Sequence, residues 1–128
     1  MHTLTTSARD IALSIGQTIT GYRYSFSNER ELQDSIAEVL TEAGIGHERE
    51  VRLSARDRID FLTQLGVGLE VKAIADSPSK VLRQLSRYAE SDRVTALALV
   101  TARHCHIYLP SEIGGKPLIV ISLAGGSL

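Results

Sequence analysis

Three charged residues near the middle of the chain have types and spacing that could do chemistry. Asp60 stands in Ile59-Asp60-Phe61-Leu62, a carboxylate among apolar neighbours, while Glu70 and Lys72 alternate with Leu69 and Val71. If both stretches are strands, period-two alternation puts Glu70 and Lys72 on one face and Leu69 and Val71 on the other. Gly66 and Gly68 mark a turn between the stretches, so the two strands are expected to pair antiparallel. Converging carboxylates repel each other and need a compensating cation. A hard divalent ion such as Mg²⁺ suits them, with oxygen ligands and retained water. Such a metal-bound water could attack a phosphodiester, with Lys72 orienting it or stabilising the charge that develops. The alternative is a solvated strand face carrying an ordinary Asp, Glu and Lys.

Other residues are spaced to join them. On a helical wheel Glu29, Gln33, Ile36 and Leu40 fall on one side and Glu31 points away. Glu29 is therefore placed to look towards Asp60 as a further metal or water ligand, with Gln33 one turn deeper. The competing role for Glu29 is to complement the helix dipole. Gln84 and Tyr88 form an i, i+4 pair at the border of a later helix, beside a basic stripe of Lys80, Arg83 and Arg87. Such a stripe suits a phosphate backbone, whose contacts position a polymer without reading its sequence.

The elements that must hold these residues are legible in outline. Ile11, Ile15 and Ile19 predict a short amphipathic helix from Ser7 to Ile19. The following GYRYSFSN fits either a strand or a packed connector. Asn28 with Glu31 has the spacing of a capping box. Leu32, Ile36, Val39, Leu40 and Ala43 then line one face, and Gly44 supplies a stop. Three strands are expected at Glu50–Leu53, Arg58–Thr63 and Val67–Ala73. Ser77 and Pro78 open a helix that buries Val81, Leu82, Leu85 and Ala89 and runs to about Glu90. RVTALALVTA reads as a central strand covered on both sides. Two more strands are expected at His104–Leu109 and Leu118–Leu123. The order favours an α/β fold, a mixed β-sheet flanked by helices.

Glu29, Asp60 in RIDFL, Glu70-Val71-Lys72 and Gln84-Leu85-Ser86-Arg87-Tyr88 together resemble the PD-(D/E)XK, or restriction-endonuclease-like, nuclease superfamily. The branch it most resembles carries a Gln-x3-Tyr motif, as in RecB-type and some phage-encoded nucleases. The resemblance covers about Asn28 to Thr101 and implies an αβββαβ core that cleaves DNA with Mg²⁺ or Mn²⁺. It implies Asp60, Glu70 and Glu29 as metal ligands and Lys72 as the catalytic lysine. Gln84 and Tyr88 would help to fix the site and the strand being cut. Ile59 replaces the proline of the family name. Endonuclease and exonuclease activity are not separated by these residues; a catalytically silent nucleic-acid-binding or assembly domain on the same fold is the alternative function.

At 128 residues the chain is expected to form one domain. No apolar run is long enough to span a bilayer, and MHTLTTSARD lacks the order of a signal peptide. Together with a single cysteine, this favours a cytoplasmic protein without an internal disulfide framework. A net charge of -1 excludes a uniformly basic surface but not a local basic patch. His104-Cys105-His106 is no zinc site if extended, because alternation sends Cys105 to the opposite face. The apolar strands between His104 and Leu123 exceed what the core needs, which predicts a homodimer.

Overall fold

The computed structural model describes residues 7–73, 76–102 and 108–123. They form a mixed α/β arrangement in which helices flank a multi-stranded sheet. The helices are α1 (Ala8–Thr20), α2 (Glu29–Glu42) and α3 (Pro78–Ala89). The strands are β1 (His47–Arg52), β2 (Arg58–Thr63), β3 (Val67–Lys72), β4 (Ala96–Thr101), β5 (Glu112–Ile113) and β6 (Lys116–Ser122). No helix among the described residues is long and apolar enough to cross a membrane.

Each helix starts at a side chain that accepts one of its orphan amides. Ser7 accepts from Asp10 N, Asn28 from Glu31 N and Ser77 from Lys80 N. Glu31 reaches back to the amide of Ser27, one residue outside the usual capping-box partner. Helix α2 ends in a complete Schellman motif. Gly44 takes φ 75°, its amide bonds to Thr41 O, and the amide of Ile45 bonds to Leu40 O. The aromatic GYRYSFSN stretch is a connector, pinned by the buried Tyr24, whose hydroxyl donates to Ile19 O (2.7 Å).

The strand order is β1-β2-β3-β4-β6-β5. Strands β1, β2 and β3 run as an antiparallel meander, β4 lies parallel to β3, and β6 lies parallel to β4. Helices α1 and α2 cover one face through Ala12, Ile15, Leu32 and Ile36, packed on Leu69, Val71, Ala98 and Val100. Helix α3 covers the other through Val81, Leu85 and Tyr88, packed on Ile59, Leu97 and Leu99. Every residue of β4 is buried, as its continuous apolar run requires.

Three expectations are corrected. Strand β1 begins at His47 rather than Glu50, because register and not apolar alternation defines it, with His47 opposite Thr63 and Glu48 opposite Leu62. Gly68 lies inside β3 and not in the turn. A Cβ there would stand 2.6 Å from Ile59 Cδ1, so close packing explains this glycine. The last strand starts at Lys116 rather than Leu118, pairing with a short β5 that the sequence pattern does not show. The expected strand at His104–Leu109 and the His104-Cys105-His106 cluster lie mostly or wholly outside the described residues.

Candidate active site

The sheet is irregular where Asp60 sits. Regular pairing of β2 with β3 is confined to Phe61 with Leu69 and Leu62 with Gly68. Ile59 packs on the α3 side and Phe61 on the α1/α2 side, although strand alternation would place both on one face. Strand β1 makes the same change opposite. Val51 packs with Ile59, whereas the Arg49 guanidinium lies over the Phe61 ring. Between them Glu50 adopts φ 54°, the left-handed region that a side chain enters at a cost. The two strands therefore reverse their faces together at Glu50 and Asp60.

Side chains replace ladder bonds across this gap. Asp60 Oδ2 accepts from Val71 N (2.8 Å), and the Asp60 amide makes a long bond to Glu70 Oε1 (3.4 Å). Lys72 Nζ stands 3.5 Å from Glu70 Oε2. Asp60 is half-buried, Glu70 is 4% exposed, and both lie beside the α3 layer. Asp60 Oδ1 carries no hydrogen bond among the described residues.

Burial holds both acids above the usual carboxylate range, Asp60 at about 6 and Glu70 at about 8, and the charge of Asp60 raises Glu70 further. The pair therefore shares protons near neutrality rather than titrating as two independent groups. Glu29 and Glu50 add their negative charge around Asp60, and Lys72 opposes it. Glu29 enters from α2 on the opposite layer, where Oε1 accepts from Ala73 N just beyond β3 (3.1 Å). Glu29, and not Gln33, is thus the α2 residue tied to this end of the sheet.

Helix α3 is fastened beside the pair. The Tyr88 hydroxyl donates to Arg58 O (2.9 Å), two residues before Asp60, and its pKa is raised by burial and by the charge of Glu70. Tyr88 is 1% exposed, so it can position the strand but cannot touch a polymer. Arg87 Nε donates to Asp57 Oδ1 (2.9 Å), which holds the Asp57 carboxyl below its usual range. The Arg87 guanidinium is thus engaged through Nε in an intramolecular tie, whereas Lys80 and Arg83 are exposed. Gln84 is half-buried, and its side chain makes no hydrogen bond among the described residues.

Asp60, Glu70 and Lys72 thus meet at one end of β3, with Glu29 anchored near them on the Ala73 amide. Among the described residues, however, no three His, Cys, Asp or Glu side chains gather closely enough to form a ready cation cage. The expected three-carboxylate set of Asp60, Glu70 and Glu29 is accordingly a close pair with Glu29 standing off on the Ala73 amide. Sequence reasoning missed Glu50, which looked like an ordinary strand start, and the Asp57–Arg87 tie. The latter had one signal, an aspartate between two arginines in a turn. Comparison of the chain with family models, with curated proteins and with solved structures gives no match.

Proposed function

We propose that the chain is a metal-dependent deoxyribonuclease, built on a restriction-endonuclease-like core and hydrolysing phosphodiester bonds. One observation carries this reading. A buried acid, Glu70, and a half-buried one, Asp60, lie side by side where a sheet splays, each bonded to the other's strand, with a lysine 3.5 Å from Glu70. A solvated strand face would not withdraw Glu70 from water, because an unpaired buried carboxyl costs stability. Such burial is characteristic of sites tuned for chemistry.

The donors fit a hard divalent cation: Asp60 and Glu70 bring carboxylate oxygens to the gap, and Asp60 Oδ1 carries no hydrogen bond among the described residues. Asp60 and Glu70 would hold Mg²⁺ or Mn²⁺, which when bound would supply an acidified water and neutralise phosphate charge. The chain's own residues do the remaining work. Val71 N fixes the rotamer of Asp60, and the Asp60 amide steadies Glu70. Lys72 donates towards the negative charge that grows on the phosphoryl oxygens as the water oxygen bonds to phosphorus and the ester oxygen leaves, the proton given up by the water passing through solvent to the departing oxygen. Glu29 fixes the end of β3 through Ala73, and Tyr88 fixes the start of β2 through Arg58. Exposed Lys80 and Arg83 hold the phosphate backbone.

The test is a panel of duplex, single-stranded, flapped and four-way DNA, with RNA counterparts, incubated with Mg²⁺. Cleavage of at least one DNA that stops on chelation is the expected result. Binding without cleavage of any member would move the assignment to the silent nucleic-acid-binding domain. That alternative gives no chemical reason to retain Asp60, Glu70 and Lys72 together.

A further inference from the structure

The β1–β2 turn carries a concentration of cations that the proposed chemistry has not used. Arg52, Arg56 and Arg58 are all exposed, within a chain whose net charge is -1. The turn that bears them is rigidly built. Leu53 N bonds to Asp57 O (2.8 Å), and Ser54 Oγ accepts from the amides of Asp57 (3.1 Å) and Arg56 (3.3 Å). Arg52 Nη1 closes the turn on Ala55 O (2.8 Å). Its one carboxylate, Asp57, is buried and already neutralised by Arg87 of α3. Glu50 lies 3.9 Å from Arg58, and both are about half exposed, so solvent weakens that pair.

The facing element is equally one-sided. Helix α3, PSKVLRQLSRYA, contains no acidic residue, and its outer side presents Lys80 and Arg83. Two bonds join the helix to the turn, Arg87 to Asp57 and Tyr88 to Arg58 O, and Asp60 follows two residues later. The turn and the helix are therefore fixed relative to each other and to the acid pair. A polyanion laid against one of them meets the positive field of both.

We infer that the β1–β2 turn and α3 are the two walls of one phosphate-backbone-binding surface, with Arg52 and Arg56 contacting phosphates beyond those held by Lys80 and Arg83. The Asp57–Arg87 and Tyr88–Arg58 bonds set the spacing of the walls. This rests on the nuclease reading and deepens it, because it names the part of the substrate recognised, the sugar-phosphate backbone of DNA, and the elements that recognise it.

The experiment is fluorescence anisotropy with short labelled DNA duplexes of two unrelated sequences, in Ca²⁺, across about 50 to 200 mM salt. Wild type is compared with Arg52→Gln/Arg56→Gln, Lys80→Ala/Arg83→Ala and the control Arg93→Ala, which alters a cation flanking Glu48 away from the acid pair. Glutamine at 52 keeps a donor for Ala55 O, and an unchanged circular-dichroism melt verifies the fold; Arg56→Gln alone serves if the pair variant melts early. The turn variant is expected to weaken both duplexes by similar factors and to reduce the log–log salt slope by about two, or by about one for Arg56→Gln. Arg93→Ala should bind as wild type. Weakened binding in the helix variant but not in the turn variant would overturn the second wall and leave the nuclease reading standing. A loss confined to one sequence would overturn the backbone assignment. Failure of wild type to bind or cut any DNA would overturn both the surface and the nuclease.

Discussion

Glu70 is a carboxylic acid withdrawn almost completely from water, and its neighbours only partly compensate. Its pKa is raised from 4.5 to about 8 by burial first and by Asp60 second. The folded chain therefore binds more protons than the unfolded chain across that window. Its contribution to stability is full below pH 4.5 and is lost as pH rises towards 8. Asp60 acts with the same sign, from 3.8 to about 6. Asp57, lowered from 3.8, acts with the opposite sign but only at more acid pH. Without divalent ions the melting temperature should thus fall between about pH 4.5 and pH 8, within the range these two acids span. Glu70→Gln should flatten the profile, and added Mn²⁺ should raise the alkaline end. A melting temperature that climbs across the range would contradict the buried pair. At Glu50 the backbone makes its own prediction. Glycine accepts φ 54° without the Cβ penalty, so Glu50→Gly should exceed Glu50→Ala in stability by about 1 kcal/mol in urea titrations. Equal midpoints would show that the left-handed geometry is not held in solution.

At the scale of elements, α3 serves as a brace with one wet side. Tyr88→Phe removes the hydroxyl from the Arg58 carbonyl and should cost about 1 kcal/mol, measured by chemical denaturation. Arg87→Ala should lower stability by up to about 1 kcal/mol while weakening DNA less than Lys80→Ala/Arg83→Ala does. If Arg87→Ala instead weakened DNA as strongly with no change in stability, the ion pair would not be its resting state. The helices were readable because their caps and stops are local: Asn28, Gly44, Ser77 and Pro78 each state a boundary without help from the rest of the chain. The strands were less so. His47-Glu48-Arg49 has no apolar alternation, and only its pairing with Phe61, Leu62 and Thr63 makes it a strand. Gly68 looked like a turn residue because the side chains that press on it, from Ile59 and Leu97, are remote in sequence.

Across the whole molecule, the candidate site gathers residues from both layers at one end of β3: Glu29 from α2, Asp60 and Glu70 from the meander, and α3 closing over them. Asp60, Glu70 and Lys72 were visible in the sequence because charge in an apolar strand is conspicuous. The face reversal at Glu50 and Asp60 was not, since it arises from two strands changing together, and neither carries a glycine or proline to announce it. The reversal is what lets Asp60 reach across to Val71 instead of pointing at solvent or core. Charge is partitioned at the same scale, with cations on the β1–β2 turn and α3 while the chain as a whole is nearly neutral. Substrate affinity should therefore depend steeply on salt while the acid pair, deep in the gap, is screened little.

Lys72 is where the account is most exposed to test. An ordinary surface lysine could be removed with a stability change below about 0.5 kcal/mol and no other effect. The proposed lysine donates to charge that exists only as the phosphodiester is breaking. Single-turnover cleavage of a DNA substrate in Mg²⁺ should fall by a factor on the order of 10²–10³ in Lys72→Ala. Binding of the same DNA in Ca²⁺ should stay near that of wild type, because in the proposed binding mode the backbone is held by Lys80 and Arg83 rather than by Lys72. Equal single-turnover rates for the two proteins would contradict the account.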